Sequence, residues 1–158
     1  MLKYADTAIT FAEFPNEISL CINISNCPCK CSGCHSSYLS QDIGEILSVE
    51  RLKELIDKNE GITCIGFMGG DSDPKEVNNL AHWVRINYPL LHIGWYSGRQ
   101  LFPNDIIDID NFDWIKVGPY IEQFGPLTSS NTNQKFYKID RKNHIMVWCT
   151  NLFWKEAE

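Results

Sequence analysis

Hydrophobic and polar residues alternate between residues 17 and 25, and this two-residue period predicts a β-strand. Further along the chain, three short apolar runs have the length of a buried strand, and each ends at or near a glycine. These runs lie at residues 62–68, 90–96 and 113–117. The pattern therefore predicts four strands in the first three quarters of the chain.

Two helices are predicted between these strands. Ser48 can cap a helix whose apolar residues repeat at helical spacing, and Gly61 is suited to end it. The sequence Asp73-Pro74-Lys75-Glu76 has capping-box spacing with proline at the first helical position, which predicts a second helix ending before Pro89. Residues 104–110 indicate a looser helical or turn segment, and residues 134–139 and 144–150 an antiparallel pair of strands.

Strands that alternate with helices indicate βαβ units, so we expect an α/β fold with a mainly parallel sheet. The 158 residues fit a single domain, but a complete eight-stranded α/β barrel typically needs about 250. Ligands collect at the carboxyl ends of parallel strands. The cysteine-rich loop after residue 25, the Gly69-Gly70-Asp71 turn and the Tyr96-Ser97-Gly98 turn should therefore lie at one edge.

Four of the seven cysteines lie within eight residues, which is too crowded for a disulfide framework and indicates a metal site. Cys27, Cys31 and Cys34 have the spacing C-x3-C-x2-C, which lets one loop place three thiolates around a 4Fe-4S cluster. Three ligands for four irons leave one iron open, and an open iron can bind a substrate directly.

This loop resembles the cluster motif of the radical S-adenosylmethionine superfamily. Within it, residues 31–36 resemble the activating proteins of anaerobic (class III) ribonucleoside-triphosphate reductases. The resemblance extends over roughly residues 18–134. Its other parts are Met68-Gly69-Gly70-Asp71, Trp95-Tyr96-Ser97-Gly98, Asp113-Trp114-Ile115-Lys116-Val117-Gly118 and the pair Asn133-Gln134.

The resemblance implies a partial, open β/α barrel spanning residues 1–158, with a 4Fe-4S cluster on Cys27, Cys31 and Cys34. It also implies reductive cleavage of S-adenosylmethionine to methionine and a 5'-deoxyadenosyl radical, which takes hydrogen from a glycine of the reductase. A one-electron donor such as flavodoxin would supply the electron. The cofactor-binding residues it implies are Gly33, Gly69, Gly70, Asp71, Tyr96 and Ser97, with Asp71 receiving the ammonium group.

Two other functions are compatible with the loop. One is a radical S-adenosylmethionine enzyme that acts on a small heterocycle, and the other is a zinc or iron-sulfur binding module without catalysis.

Cys29 lies inside the motif either as a bystander or as the fourth ligand of a zinc site. His35 either influences the cluster or contacts the adenine of the cofactor, or it is only a turn residue. The cysteines in apolar strand segments, Cys21, Cys64 and Cys149, are expected to be small buried hydrophobes.

Charge and hydropathy narrow the range of partners. The formal net charge of -6 argues against nucleic-acid binding, which needs clustered Lys and Arg. The amino-terminal residues lack the layout of a secretory signal, and no apolar run approaches the length of a membrane span. We therefore expect a cytoplasmic protein.

Overall fold

The computed structural model describes residues 1–34 and 36–154, and within them eight strands form one sheet. The strands are β1 Lys3–Thr10, β2 Ser19–Ile24, β3 Glu45–Ile46, β4 Cys64–Met68, β5 His92–Tyr96, β6 Trp114–Val117, β7 Lys135–Asp140 and β8 Ile145–Trp148. The α-helices are α1 Val49–Lys58 and α2 Pro74–Asn87, and short 3-10 helices lie at Ser37–Ser40, Ile109–Asn111 and Thr150–Phe153.

The spatial order of the strands is β3-β1-β2-β4-β5-β6-β7-β8. The central strands β2, β4, β5 and β6 run parallel to one another. On one side, β1 pairs antiparallel with β2 and β3, and on the other side β7 pairs antiparallel with β6 and β8. The parallel strands thus form the middle of a mixed sheet with antiparallel margins.

The predicted fold class, a partial β/α barrel with a mainly parallel sheet, is wrong. Four of the seven strand pairings in the described part of the chain are antiparallel, and only two α-helices accompany the eight strands. The physical reason lies in the connections. Only α1 and α2 provide α-helical crossovers, and β5 joins its parallel neighbour β6 through a segment with a single 3-10 turn. The outer strands β1, β3, β7 and β8 pair antiparallel, for which a helix is not needed.

The individual elements agree better with the sequence pattern. The strands predicted in the first three quarters correspond to β2, β4, β5 and β6, and the C-terminal antiparallel pair corresponds to β7 and β8. The segment 104–110 forms no α-helix and leads into a single 3-10 turn at Ile109–Asn111. Strands β1 and β3 were not predicted.

Both helices begin where their caps predict. The Ser48 hydroxyl accepts a hydrogen bond from the Arg51 amide at 3.0 Å, and the Asp73 carboxylate accepts one from the Glu76 amide at 3.3 Å. The apolar faces of α1 and α2 pack on one side of the sheet. This main core includes Leu52, Val77, Leu80, Ile65 and Phe67. Neither helix has the length and apolar character needed to cross a membrane, within the residues described.

Phe14 fills the opposite face of the sheet. Its ring is fully buried and lies over the paired glycines Gly66 and Gly94 of neighbouring strands β4 and β5. A Cβ atom at Gly94 would lie 2.1 Å from the ring, and one at Gly66 would lie 2.6 Å from it. The two glycines therefore make the space that the ring occupies, and a second cluster with Trp114 and Phe136 forms around it.

Candidate functional site

Four loops meet at one edge of the sheet because β2, β4, β5 and β6 are parallel and end on the same side. We call this the carboxyl edge. The loops are the cysteine loop at residues 27–34, the turn at residues 69–73, the turn at residues 97–99 and the segment that starts at residue 118. The structure thus brings together the separate stretches that the sequence placed at one edge.

Backbone hydrogen bonds hold the cysteine loop at both its start and its end. The Cys27 amide donates to the Leu39 carbonyl at 2.8 Å, and the Cys34 amide donates to the Cys31 carbonyl at 3.2 Å. Lys30 and Gly33 have positive φ angles of 46° and 75°, which turn the backbone sharply between the cysteines. All four loop cysteines are free thiols of intermediate exposure.

Asp71 is the residue on which three of these loops converge, and its exposed fraction is only 2%. Its Oδ1 accepts a hydrogen bond from the Ser97 hydroxyl at 2.5 Å, and its Oδ2 accepts one from the Gly98 amide at 2.8 Å. The Arg99 guanidinium lies 3.6 Å from Oδ1 and donates to the Asp71 carbonyl at 2.7 Å. The carboxylate is therefore buried, and two hydrogen bonds and a nearby guanidinium offset the cost of burying its charge.

Cys29 connects the cysteine loop to this carboxylate. Its Sγ lies 3.8 Å from Asp71 Oδ2, and a Cβ atom at Gly98 would lie 2.7 Å from the same sulfur. Burial, together with the negative charge of Asp71 and the nearby Cys27 thiol, raises the pKa of Cys29 to about 12. Cys29 thus lies against Asp71 and Gly98, and this contact fixes the inner side of the loop.

The glycines that the resemblance assigns to cofactor binding lie where these turns pack closely against neighbouring groups. Gly69 and Gly70 have φ angles of 109° and 98°, and a Cβ atom at Gly70 would lie 2.4 Å from Val77 of α2. A Cβ atom at Gly33 would lie 3.2 Å from the Glu122 carboxyl group. Gly33 therefore faces the segment that follows β6, whereas Gly70 is buried against the helix.

Ser97 and Tyr96 lie on different sides of their strand. Ser97 is fully buried and turned toward Asp71. The Tyr96 hydroxyl donates to the Glu13 carbonyl, its ring packs edge-on against Phe14, and burial raises its pKa well above the ordinary value. Only Ser97 joins the Asp71 network, and Tyr96 belongs to the Phe14 cluster.

Lys116 is a residue of this edge that the sequence reasoning missed. It lies in β6 between the buried residues Ile115 and Val117, and its own exposed fraction is 7%. Its ammonium donates to the carbonyls of Ser97 and Gly118 at 3.0 and 3.1 Å. The sequence held a signal, because Lys116 interrupts a predicted apolar strand. A lysine in such a strand is rarely buried unless other groups partner it.

The pair Asn133-Gln134, noted from the resemblance, closes the base of the segment between β6 and β7. The Asn133 amide donates to the Pro119 carbonyl at 3.0 Å, and the Gln134 amide reaches the Gly118 carbonyl at 3.5 Å. The Gly118 carbonyl is also an acceptor for Lys116. These two residues hold the segment that faces Gly33.

The four free thiols of the cysteine loop are the type of donor that an iron-sulfur cluster takes. Within residues 1–34 and 36–154, no three His, Cys, Asp or Glu side chains are arranged so that they could hold a metal ion. A cluster held by Cys27, Cys31 and Cys34 would therefore require these three thiols to come together on binding. His35 lies outside the described residues.

The remaining cysteines agree with the sequence reasoning in two cases. Cys21 and Cys64 are buried in strands, with exposed fractions of 3% and 0%, whereas Cys149 is half-buried.

Comparisons of the chain with protein-family models, with curated proteins and with solved structures found no match.

Proposed function

We propose that the protein is a radical S-adenosylmethionine activase that generates a glycyl radical on an anaerobic ribonucleoside-triphosphate reductase. One observation carries the proposal. The loop with the C-x3-C-x2-C spacing lies against a buried carboxylate, Asp71, at the edge where the Gly69-Gly70 and Ser97-Gly98 turns also meet. A thiol-rich loop and an acceptor for an ammonium group are thereby adjacent.

Cys27, Cys31 and Cys34 would hold the cluster, and Cys29 would remain in contact with Asp71. The cluster and S-adenosylmethionine, when bound, supply one-electron reductive cleavage of the sulfonium to give a 5'-deoxyadenosyl radical. The chain supplies binding, orientation and the exclusion of water. Its buried strand ends suit that role, because the glycines there let the backbone approach its neighbours closely.

Asp71 is the proposed acceptor for the cofactor's ammonium group. Each carboxylate oxygen has two lone pairs, so Asp71 can accept a further donor beside Ser97 and Gly98. Because its exposed fraction is 2%, the ammonium can reach it only after a neighbour moves aside. Cys29 remains in place in this account, so the neighbour that would move is the partly exposed Arg99, whose guanidinium lies 3.6 Å from Oδ1.

The proposal is tested by anaerobic reconstitution of the protein with iron and sulfide, followed by reduction with dithionite in the presence of S-adenosylmethionine. The measured product is 5'-deoxyadenosine. We expect it from the wild type and from a Cys149→Ala control, and we expect none from Cys31→Ala. A reducible cluster in the wild type that gives no 5'-deoxyadenosine would contradict the catalytic proposal and favour a metal-binding module.

A further inference from the structure

Cys31 and Cys34 are the two ends of one exposed turn in the cysteine loop. The Cys34 amide donates to the Cys31 carbonyl at 3.2 Å, which is the hydrogen bond that closes a β-turn. Gly33, the third residue of this turn, has a φ angle of 75°, and a type II turn requires a positive φ at that position. Ser32 and Gly33 are exposed, so small molecules in solution can reach the turn.

The turn gives the two cysteines the separation that a disulfide needs. The end residues of a β-turn have Cα atoms less than about 7 Å apart, and disulfide-bonded cysteines usually have Cα atoms about 4.4–6.8 Å apart. Both thiols are free and of intermediate exposure. The Cys34 sulfur accepts a hydrogen bond from the Ser36 amide at 3.4 Å, and this contact is exposed. The backbone therefore already has the geometry in which these two sulfurs can join.

The other two cysteines of the loop have different contacts. Cys29 lies on the inner side of the loop, with its Sγ 3.8 Å from Asp71 Oδ2. The Cys27 amide is hydrogen-bonded at 2.8 Å to a carbonyl of the 3-10 helix that follows the loop. Within residues 1–34 and 36–154, no backbone hydrogen bond joins either of them to the turn. The loop geometry thus selects one pair among the four cysteines.

We propose that Cys31 and Cys34 are a reversible dithiol-disulfide pair that low-molecular-weight disulfides oxidise. One cysteine thiolate attacks a sulfur of the oxidant, which releases one small thiol and leaves a mixed disulfide on the protein. The second cysteine thiolate attacks the protein sulfur of that mixed disulfide and releases the other small thiol. Two cysteine thiols are thereby oxidised, the oxidant is reduced to two thiols, and the cysteine protons pass to these released thiols.

The pair forms whether or not the proposed function is correct, because its two thiols react without any metal. In the oxidised form, only Cys27 and Cys29 remain as thiols of the loop. An excess of small thiol reverses both steps. The carboxyl edge of the sheet therefore has a reduced form with four loop thiols and an oxidised form with two.

The bond is tested in the full-length, metal-free protein, equilibrated anaerobically with mixtures of reduced and oxidised glutathione. The remaining thiols are then alkylated, and the chain is digested with trypsin for mass spectrometry. Cleavage after Lys30 leaves both members of the pair in the peptide 31–51 and the other two loop cysteines in the peptide 4–30. We expect an internal disulfide in the peptide 31–51. A main product with a bond within 4–30 or between the two peptides would overturn the proposal, as would glutathione adducts or free thiols alone.

A second measurement separates the effect of the turn from mere closeness in sequence. Gly33→Ala puts a side chain at a φ angle of 75°, and Gly61→Ala puts one at 87° in open space beyond α1, as the matched control. The equilibrium constant for forming the disulfide with glutathione should fall several-fold in Gly33→Ala and stay near the wild type in Gly61→Ala.

The same constant should also fall several-fold when the wild type is unfolded in urea, and this comparison remains decisive if Gly33→Ala does not fold. Equal constants in the folded and unfolded wild type, or an unchanged constant in a folded Gly33→Ala variant, would contradict the role of the turn.

Discussion

A single carboxylate organises the carboxyl edge at the scale of individual residues. Asp71 accepts from the Ser97 hydroxyl and the Gly98 amide, and it borders Cys29. Buried donors that lose their acceptor carry the full cost of desolvation. The stability of three loops and the proposed binding of the cofactor therefore depend on the same side chain.

Asp71→Ala should lower the free energy of unfolding by about 1–3 kcal/mol, because the donors of Ser97 and Gly98 lose their acceptor. It should also weaken S-adenosylmethionine binding while the iron content is retained. Denaturant unfolding and equilibrium binding to the reconstituted protein measure these effects, with the exposed Asp105→Ala as control. Unchanged cofactor affinity would rule out the proposed role of Asp71.

Cys29 and Cys31 are neighbours in sequence, but we assign them different roles. Cys29 contacts Asp71 and Gly98, so Cys29→Ala should retain both the cluster and cofactor cleavage. Cys31→Ala should lose both, because it removes one of three proposed ligands. Iron and sulfide content and 5'-deoxyadenosine formation are the readouts. An inactive, iron-free Cys29→Ala variant would show that the ligand assignment is wrong.

The sequence identified some residues of the edge and missed others for a physical reason. The cysteine spacing and the Gly69-Gly70-Asp71 turn are local patterns, so they can be recognised in one stretch of chain. The contact of Lys116 with Ser97 and that of Cys29 with Asp71 depend on how strands pair. Such contacts between distant segments leave no local signature.

At the scale of elements, caps and apolar periods predicted the helices and the central strands. Helix α1 begins after Ser48 and α2 after Asp73, as their hydrogen bonds require. Strand β1 was missed because Tyr4 is its only buried residue, so it lacks a clear alternation of buried and exposed positions. Strand β3 has only two residues, both exposed, and is defined by its pairing with β1.

The fit of Phe14 over two strands can be tested with a pair of substitutions. Gly94→Ala should destabilise the protein by about 1–3 kcal/mol, because the new methyl group would overlap the Phe14 ring. The penalty should be smaller in a Phe14→Leu background, which removes part of the obstruction. Thermal or denaturant unfolding of the four proteins gives the coupling energy, and additive effects would contradict the described contact.

At the scale of the whole molecule, the sequence predicted the central strands, the two helices and the antiparallel β7–β8 pair, but not the antiparallel pairings of β1 with β2 and β3 or of β7 with β6. The βαβ pattern holds between β2 and β6, where α1 and α2 lie in two of the three connections. Outside this central part, β1, β3, β7 and β8 pair antiparallel. In the described part of the chain, these four pairings outnumber the three parallel pairings between β2 and β6. Alternation shows which face a strand buries and carries no information about its direction.

The mixed sheet nevertheless keeps the feature on which the functional proposal depends, because its four parallel strands end at one edge. That edge carries the cysteine loop and Asp71, and the buried Lys116 donates there to the Ser97 carbonyl. The central claim is that this edge generates a radical on a partner protein. It thus concerns the whole molecule and its partner together.

The most direct measurement is electron paramagnetic resonance of the reconstituted protein, reduced and mixed with an anaerobic ribonucleoside-triphosphate reductase and S-adenosylmethionine. We predict a glycyl radical signal on the reductase that requires both S-adenosylmethionine and an intact Cys31. Formation of 5'-deoxyadenosine without a glycyl radical would contradict the claim and favour a small-molecule substrate.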